Sequence, residues 1–278
     1  MIEIRNLVKS FGPQKPVLRG VNLVIRTGES VVIIGRSGCG KSVMLKLITA
    51  LMPPDSGQVL IDGEDLVTLQ EQDVYRVRQK FGVLFQSAAL FDSMTVYENI
   101  ALGLWEHTTK SEEEISRIVA EKLALVDLPG TENLKPAELS GGMKKRVGLA
   151  RAIAMSPEYV LYDEPTTGLD PINADVINNL IIRLNERLKV TTIVVTHDMT
   201  SAYKIADRIV MLHRGVIIFD GTPDQVRNTT DEVVRQFIEG RAEGPIKQTA
   251  VVAANPDPGI IRHPVPKRVK LRSKVMPE

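Results

Sequence analysis

The strongest constraint on this chain is a short apolar run, Val31-Val32-Ile33-Ile34, that leads straight into Gly35-Arg36-Ser37-Gly38-Cys39-Gly40-Lys41-Ser42. Four consecutive β-branched residues need burial on both faces, which a strand inside a parallel sheet provides. Three glycines in the next six residues permit a tight turn, and Ser42 to Leu51 then carries apolar residues at helical period. A buried strand passing through a glycine turn into a helix is the start of an α/β unit. The rest of the chain keeps that alternation. Strands are predicted at Phe81–Phe85, Tyr159–Tyr162 and Thr191–Val195. Helices are predicted at Ser111–Val126, Ser140–Met155, Ile172–Leu188 and Met199–Ala206, and a hairpin-like pair at Ile209–Leu212 and Val216–Phe219. The expected fold is α/β, a parallel sheet covered on both faces. Val17–Arg26 and Gln58–Asp62, bounded by Gly28, Gly57 and Gly63, suggest an added N-terminal antiparallel layer.

Composition narrows the class. The 278 residues include 35 Lys+Arg, 34 Asp+Glu and 43% hydrophobic residues. That is enough apolar material for one large domain with or without a tail, and it excludes global disorder. No run approaches the ~20 apolar residues that span a bilayer. The opening Met1-Ile2-Glu3-Ile4-Arg5 reads as a strand rather than a signal or transit peptide. The single cysteine, Cys39, fits a reducing compartment. The near-zero net charge argues against a wholly basic nucleic-acid binder. The balance is uneven, however. Residues 241–278 hold eight basic and three acidic residues and six of the sixteen prolines, against 27 basic and 31 acidic before them. The domain boundary is placed near Gly240, with a basic, Pro-rich tail beyond. Three readings of that tail stand: a disordered segment, a basic stretch (Lys267 to Lys274) drawn to anionic lipid, or an arm lying on a neighbouring copy.

Gly35 to Ser42 matches the P-loop pattern in its required strand-to-helix context. Backbone N–H groups of Gly35, Arg36, Ser37, Gly38, Cys39 and Gly40 can curl around phosphate oxygens, with the helix N-terminus aimed at the anion. Lys41 supplies charge to the β- and γ-phosphates, and the Ser42 hydroxyl suits Mg²⁺. Cys39, beside Lys41 and a helix start, sits in surroundings that favour a thiolate and so a redox switch, or it is simply a small residue that fills space in the loop. Tyr159-Val160-Leu161-Tyr162-Asp163-Glu164 is a strand ending in two carboxylates. Asp163 is placed to hold Mg²⁺ and Glu164 to polarise an attacking water.

With these motifs the chain resembles the nucleotide-binding subunit of ATP-binding-cassette (ABC) transporters over roughly residues 1–240. The resemblance rests further on Leu139-Ser140-Gly141-Gly142-Met143, similar to the family signature. It includes Gln86 at a strand end, Asp170 in Gly168-Leu169-Asp170, His197 after a strand, and Phe11 in Lys9-Ser10-Phe11-Gly12, all in family order. It implies a P-loop ABC ATPase core with a helical signature subdomain at about 87–156. It also implies ATP and Mg²⁺ as cofactors, catalytic Glu164, His197 and Gln86, metal contacts from Ser42, Gln86 and Asp163, and adenine stacking on Phe11. Ser140, Gly141, Gly142 and Asp170 would serve the ATP of a second copy in a head-to-tail dimer. Other roles remain open on the residues alone: a strand-end cap for Gln86, a helix cap for His197 or Asp170, core packing for Phe11. Met143 stands where glutamine is common, and Phe11 where tyrosine is commoner.

Met143-Lys144-Lys145-Arg146, with Phe85-Gln86-Ser87-Ala88-Ala89-Leu90-Phe91-Asp92-Ser93-Met94-Thr95-Val96, closely resembles the ATPases of bacterial lipid-asymmetry (Mla-type) phospholipid transporters. The implied partners are an integral membrane permease, a mammalian-cell-entry-type lipid-binding subunit and a small regulatory subunit, with no nucleic acid. The implied location is the cytoplasmic face of the inner membrane. Leu90, Phe91 and Met94 form an apolar cluster that suits either a permease helix or the core. Transport of another solute, such as an amino acid or metal, is the alternative. A soluble ABC ATPase of DNA repair or translation is a further one, but only one P-loop is present and only 54 positions separate Gln86 from Ser140.

Overall fold

The computed structural model describes residues 1–12 and 16–247. In chain order the elements are β1 (Ile2–Ser10), β2 (Pro16–Ile25), β3 (Ser30–Ile34), α1 (Lys41–Ile48), β4 (Ser56–Ile61), β5 (Glu64–Asp65), α2 (Glu71–Arg78) and β6 (Phe81–Leu84). They continue with α3 (Val96–His107), α4 (Glu112–Leu125), a 3-10 turn at Pro136–Glu138, α5 (Gly141–Ala152), β7 (Tyr159–Asp163), α6 (Pro171–Leu188), β8 (Thr191–Thr196), α7 (Met199–Ile205), β9 (Arg208–His213), β10 (Val216–Gly221), α8 (Pro223–Arg227) and α9 (Glu232–Ile238).

The strands form two sheets. One is antiparallel, in the order β2-β1-β4-β5. The other runs β10-β9-β3-β8-β7-β6, parallel throughout except for the β9–β10 hairpin. The central strands are buried on both faces, and their two-residue period divides them between two cores. Val31 and Ile33 of β3, with Leu161 of β7 and Ile193 of β8, pack against α1 and the antiparallel sheet. Val32, Ile34, Val160, Tyr162 and Val194 face the opposite way, toward α3, α4, α5, α6 and α7. The α/β expectation with an N-terminal antiparallel layer and a helical signature region is thus what the chain adopts.

Helices α2 and α3, together with α8 and α9 after β10, are additional to the elements expected from the sequence. Helix α2 is mostly exposed, with only Val77 buried, so it carries almost no apolar face to detect. Helix α3 buries Val96, Ile100 and Leu104 at helical spacing and opens on a capping box: Glu98 N–H donates to Thr95 Oγ1 at 3.1 Å, and Thr95 N–H donates to Glu98 Oε2 at 2.7 Å.

The packed body does not stop at Gly240. Ile246 is buried, and Gln236 fastens its main chain, accepting from Ile246 N–H at 2.6 Å and donating to Ile246 O at 3.2 Å. Arg36 of the glycine turn donates to Lys247 O at 3.3 Å. The stretch assigned to a tail from residue 241 therefore starts as chain held by side-chain contacts, which composition does not encode. Residues 248–278, and with them the three readings of the tail, lie outside the described residues.

Helix α5 approaches β6 as closely as backbone allows. A Cβ on Gly82 would sit 2.1 Å from Ala152 O, and one on Gly148 would sit 2.9 Å from Leu84 Cδ1 and 3.2 Å from Ala88 Cβ. The first contact is with main chain and cannot be relieved by a rotamer change. Gly82→Ala is therefore expected to destabilise the protein by about 1–3 kcal/mol, lowering the thermal midpoint by roughly 2–12 °C. An unchanged melt would place α5 farther from β6.

Candidate nucleotide site

The site is built where β3, β8 and β7, neighbours in the sheet, end. Ligands of open α/β sheets sit at these carboxyl ends. Gly35 to Gly40 follow β3, Asp163 and Glu164 close β7, and His197 follows β8. The turn after β3 needs glycine at two points for steric reasons. Gly35, at φ 149°, lies where a Cβ would be 2.3 Å from Leu212 O. Gly40, at φ 112°, caps α1 where a Cβ would meet Leu18 Cδ2 at 2.9 Å. Lys41 is buried, and its ammonium donates to Gly35 O at 2.8 Å and Arg36 O at 3.3 Å. It also lies 3.6 Å from Glu164 Oε1.

The carboxylates differ in setting. Asp163 Oδ1 accepts from Ser42 Oγ at 2.9 Å. Burial holds its pKa above the usual carboxylate range, although the Ser42 bond and the Lys41 charge pull the other way. Glu164 is buried and adopts a left-handed backbone, φ 50°, uncommon for a non-glycine residue and typical of strained functional positions. Glu164 Oε2 lies 2.8 Å from His197 Nδ1 and accepts from Thr167 Oγ1 at 3.1 Å and Thr196 Oγ1 at 3.5 Å. Lys41, Ser42, Asp163, Glu164 and His197 are thus one contiguous constellation. Thr167 belongs to it as well; nothing in its local sequence distinguishes it from an ordinary loop threonine.

Other candidates lie around this centre. Gln86 is exposed just beyond β6, and its carbonyl accepts from Lys145 Nζ. Phe11 is 47% exposed, which removes the core alternative and leaves its ring free, with Lys9 Nζ 6.0 Å from the ring centroid. Ser140 caps α5, accepting from Met143 N–H at 3.2 Å. Gly141 is exposed at the helix start, while Met143 packs against the core, where a polar side chain would be poorly placed. Asp170 caps α6, accepting from Ile172 and Asn173 N–H at 3.0 Å each. These contacts give Ser140 and Asp170 a structural task whatever else they do. A wider cavity of about 360 Å³ runs beside His197, between Thr167, Gly168, Asp175 and Asn178.

For Cys39 the structure favours the space-filling reading, with the side chain packed against the core, over the thiolate one. Burial pushes its thiol above the ordinary value and outweighs the nearby Lys41 charge. The neutral thiol therefore dominates at pH 7, and thiolate grows only as pH rises. Alkylation by iodoacetamide should be slower at pH 7 than that of a small free thiol and should accelerate on the alkaline side. Fast, pH-independent labelling near neutrality would contradict this placement.

Residues 18–167 match the ABC transporter family model. A probable ribonucleotide transport ATP-binding protein, mkl, of Mycobacterium tuberculosis is 46% identical over 246 residues, 88% of this chain and 68% of the relative. The intermembrane phospholipid transport system ATP-binding protein MlaF of Haemophilus influenzae is 42% identical over 247 residues, 89% of this chain and 93% of the relative. Among solved structures, a dimeric ATP-binding cassette in a post-hydrolysis state, bound to ADP and Pi, superposes with a TM-score of 0.74. It is 35% identical, and the match covers 80% of this chain and 99% of that one. Family model, relatives and fold agree with the phosphate turn, the paired carboxylates and the signature helix: the chain belongs to the ABC transporter family, as an ATP-binding subunit whose ATP hydrolysis is coupled to transport.

Proposed function

We propose that the chain powers a phospholipid-moving ABC transporter at the cytoplasmic face of the inner membrane, acting as a head-to-tail pair of cassettes beneath an integral permease. The observation that carries the catalytic part is the setting of Glu164: a buried carboxylate between the Lys41 ammonium and the His197 ring. In this reading the amides of Gly35 to Gly40 enclose the phosphates, and Lys41 exchanges its loop carbonyls for phosphate oxygens. Phe11 stacks on adenine. Glu164 Oε2 takes the proton of the attacking water, and His197 holds that carboxylate in orientation. Ser140, Gly141 and Gly142 of the second copy face the γ-phosphate, with Asp170 nearby.

The oxygen donors fit Mg²⁺. The Ser42 hydroxyl and the Asp163 carboxylate are adjacent, and hard oxygen donors supplemented by phosphate are what this ion takes. Ser42, Asp163 and the Gln86 amide would hold it, and when bound it neutralises charge on the phosphate oxygens.

Support for the permease comes from a groove of about 670 Å³ whose walls include Leu51, Tyr75, Phe81, Phe85 and Phe91. Phe91 is 50% exposed. Its main chain is pinned from α3 by the buried Asn99, whose Oδ1 accepts from Phe91 N–H at 2.8 Å and whose Nδ2 donates to Phe91 O at 3.2 Å. Leu90, by contrast, packs partly into the core, so the Leu90–Phe91–Met94 cluster is split between the two roles the sequence left open. Among the described residues no helix is long and apolar enough to cross a membrane, so the membrane path would come from the permease. A mammalian-cell-entry-type lipid-binding subunit and a small regulatory subunit complete the proposed assembly.

The lipid cargo rests on the similarity to the phospholipid transport protein over nearly its whole length. A ribonucleotide cargo is the second reading, carried by the printed name of the mycobacterial relative. Purification of the complex from membranes with identification of bound lipid or nucleotide cargo separates them. For catalysis, Glu164→Gln should lower ATP turnover by about 10²-fold or more while nucleotide binding persists; wild-type turnover would remove Glu164 as the base. For docking, Phe91→Asp should release the cassette from the permease with an unchanged melting curve, whereas Leu90→Asp should lower stability. Normal co-purification of Phe91→Asp would move the permease contact elsewhere.

A further inference from the structure

Helix α5 turns two cations inward. Lys145 is 5% exposed, and its ammonium donates to the Gln86 carbonyl and, at 3.2 Å, to the Glu164 carbonyl. Arg151, in the last turn, donates to Ala88 O and Ala89 O at 2.7 Å each. The four carbonyls come from only two places, the segment after β6 and the end of β7. Three of the four residues have left-handed backbones without being glycine: Ala88 at φ 61°, Ala89 at 48° and Glu164 at 50°. Such conformations persist when surrounding contacts over-determine them, and here α5 provides contacts to all three. A buried ammonium that donates to neutral carbonyls is costly, and an apolar side chain inside a helix would avoid that cost. Fold stability alone is therefore a poor reason for a lysine at this position.

We infer that Lys145 is a positioning residue for hydrolysis: it ties the Glu164 main chain to that of Gln86, fixing the Glu164 carboxylate against Lys41 and His197. The segment from Gln86 to Phe91 leads from the nucleotide side to the groove, so a shift there reaches Glu164 through one ammonium. This inference rests on the reading of Glu164 as the base. The Lys145 ammonium is spent on the Gln86 and Glu164 carbonyls, whereas the phosphate turn is served by Lys41. Its loss should act on turnover and leave nucleotide affinity in place.

The test uses the full-length chain carrying Lys145→Met, which keeps the apolar stem and removes the donor. ATP turnover should fall about ten- to a hundredfold, the scale of a small misplacement of a catalytic group. KM for ATP and the Kd of a fluorescent ADP analogue should stay within about twofold. Lys145→Arg, which keeps a charged donor, should recover much of the rate. In a Glu164→Gln background, Lys145→Met should cost no further single-turnover rate, because residues acting as a unit are non-additive. Hydrogen exchange should rise at residues 86–89 and 164–167. An unchanged kcat, a matching loss of nucleotide affinity, or a full additional loss in the Glu164→Gln background would each overturn the inference. If Lys145→Met does not fold, Lys145→Gln is read by the same measures, and failure of both to fold would assign Lys145 to stability alone and overturn it too. Wild-type turnover of Glu164→Gln by itself would instead discard the reading of the base on which the inference stands.

Discussion

The Lys41 ammonium and the Glu164 carboxylate face each other at 3.6 Å with 6% and 10% of their side chains exposed. Much of this structure exists to hold that pair. Taking two charges out of water costs more than their attraction usually returns, so a buried pair is weak evidence for stability. The sheet makes the arrangement tolerable by satisfying each charge several times. Lys41 also donates to two loop carbonyls, and Glu164 also binds His197 and Thr167. Lys41 follows β3, Glu164 follows β7 and His197 follows β8, so strand register brings these three side chains to one place. Val31 to Ile34, Val160 to Tyr162 and Ile193 to Val195 are all buried, and that double-faced burial is what keeps the three strand ends in line.

Where sequence was legible, it was legible for this reason. A strand buried on both faces must be apolar without alternation, and its end must break into glycine or charge. Both the Ile34–Gly35 and the Tyr162–Asp163 boundaries can be read directly. The paired sheets, the long amphipathic helices α4 and α6, and the Lys41, Ser42, Asp163, Glu164 and His197 group emerge from such signals. Helix α2 offers only a narrow apolar face, with Val77 its one buried residue. Helix α3 carries its evidence both in the Thr95–Glu98 capping box and in the buried Val96, Ile100 and Leu104 at four-residue spacing. Thr167 and Lys145 are ordinary residues by type, and only the folded chain reveals that one touches Oε2 of Glu164 and the other its carbonyl. Cys39 shows the limit of local reasoning: the neighbouring charge is evident from sequence, but the burial that outweighs it is a property of the packed loop.

The glycines sort in the same physical way. Gly35 and Gly40 are required by close main-chain or side-chain neighbours at positive φ, and Gly82 by the approach of α5 to β6. A Cβ on Gly141 would meet only Leu169 Cδ2, at 3.6 Å, an ordinary contact. Sterics within the chain therefore do not explain Gly141. Its exposure at the start of α5 does fit a helix end whose first amides lack partners in the helix and favour an anion from outside. Since α1 already presents such an end beside Lys41, each copy carries two anion-facing helix starts. A head-to-tail pair uses four of them on two nucleotides, which is the arithmetic behind the proposed dimer.

Helix α5 then occupies a singular place. Its first turn carries the signature, with Gly141 exposed and Gly142 buried, its middle reaches Glu164 through Lys145, and its last turn grips Ala88 and Ala89 through Arg151. A rigid helix touching three working parts still proves no transmission, because coupling requires an element with two arrangements whose balance both ends can bias. The left-handed residues supply the candidate element. Ala88, Ala89 and Glu164 occupy sparsely populated left-handed wells, and α5 holds the carbonyl of each. Gly82 and Gly148 let α5 lie so close to β6 that the helix has no room to move nearer the strand. A shift of the groove-facing segment would therefore reach Glu164, the proposed base, through the carbonyl contacts that Lys145 and Arg151 make with both segments.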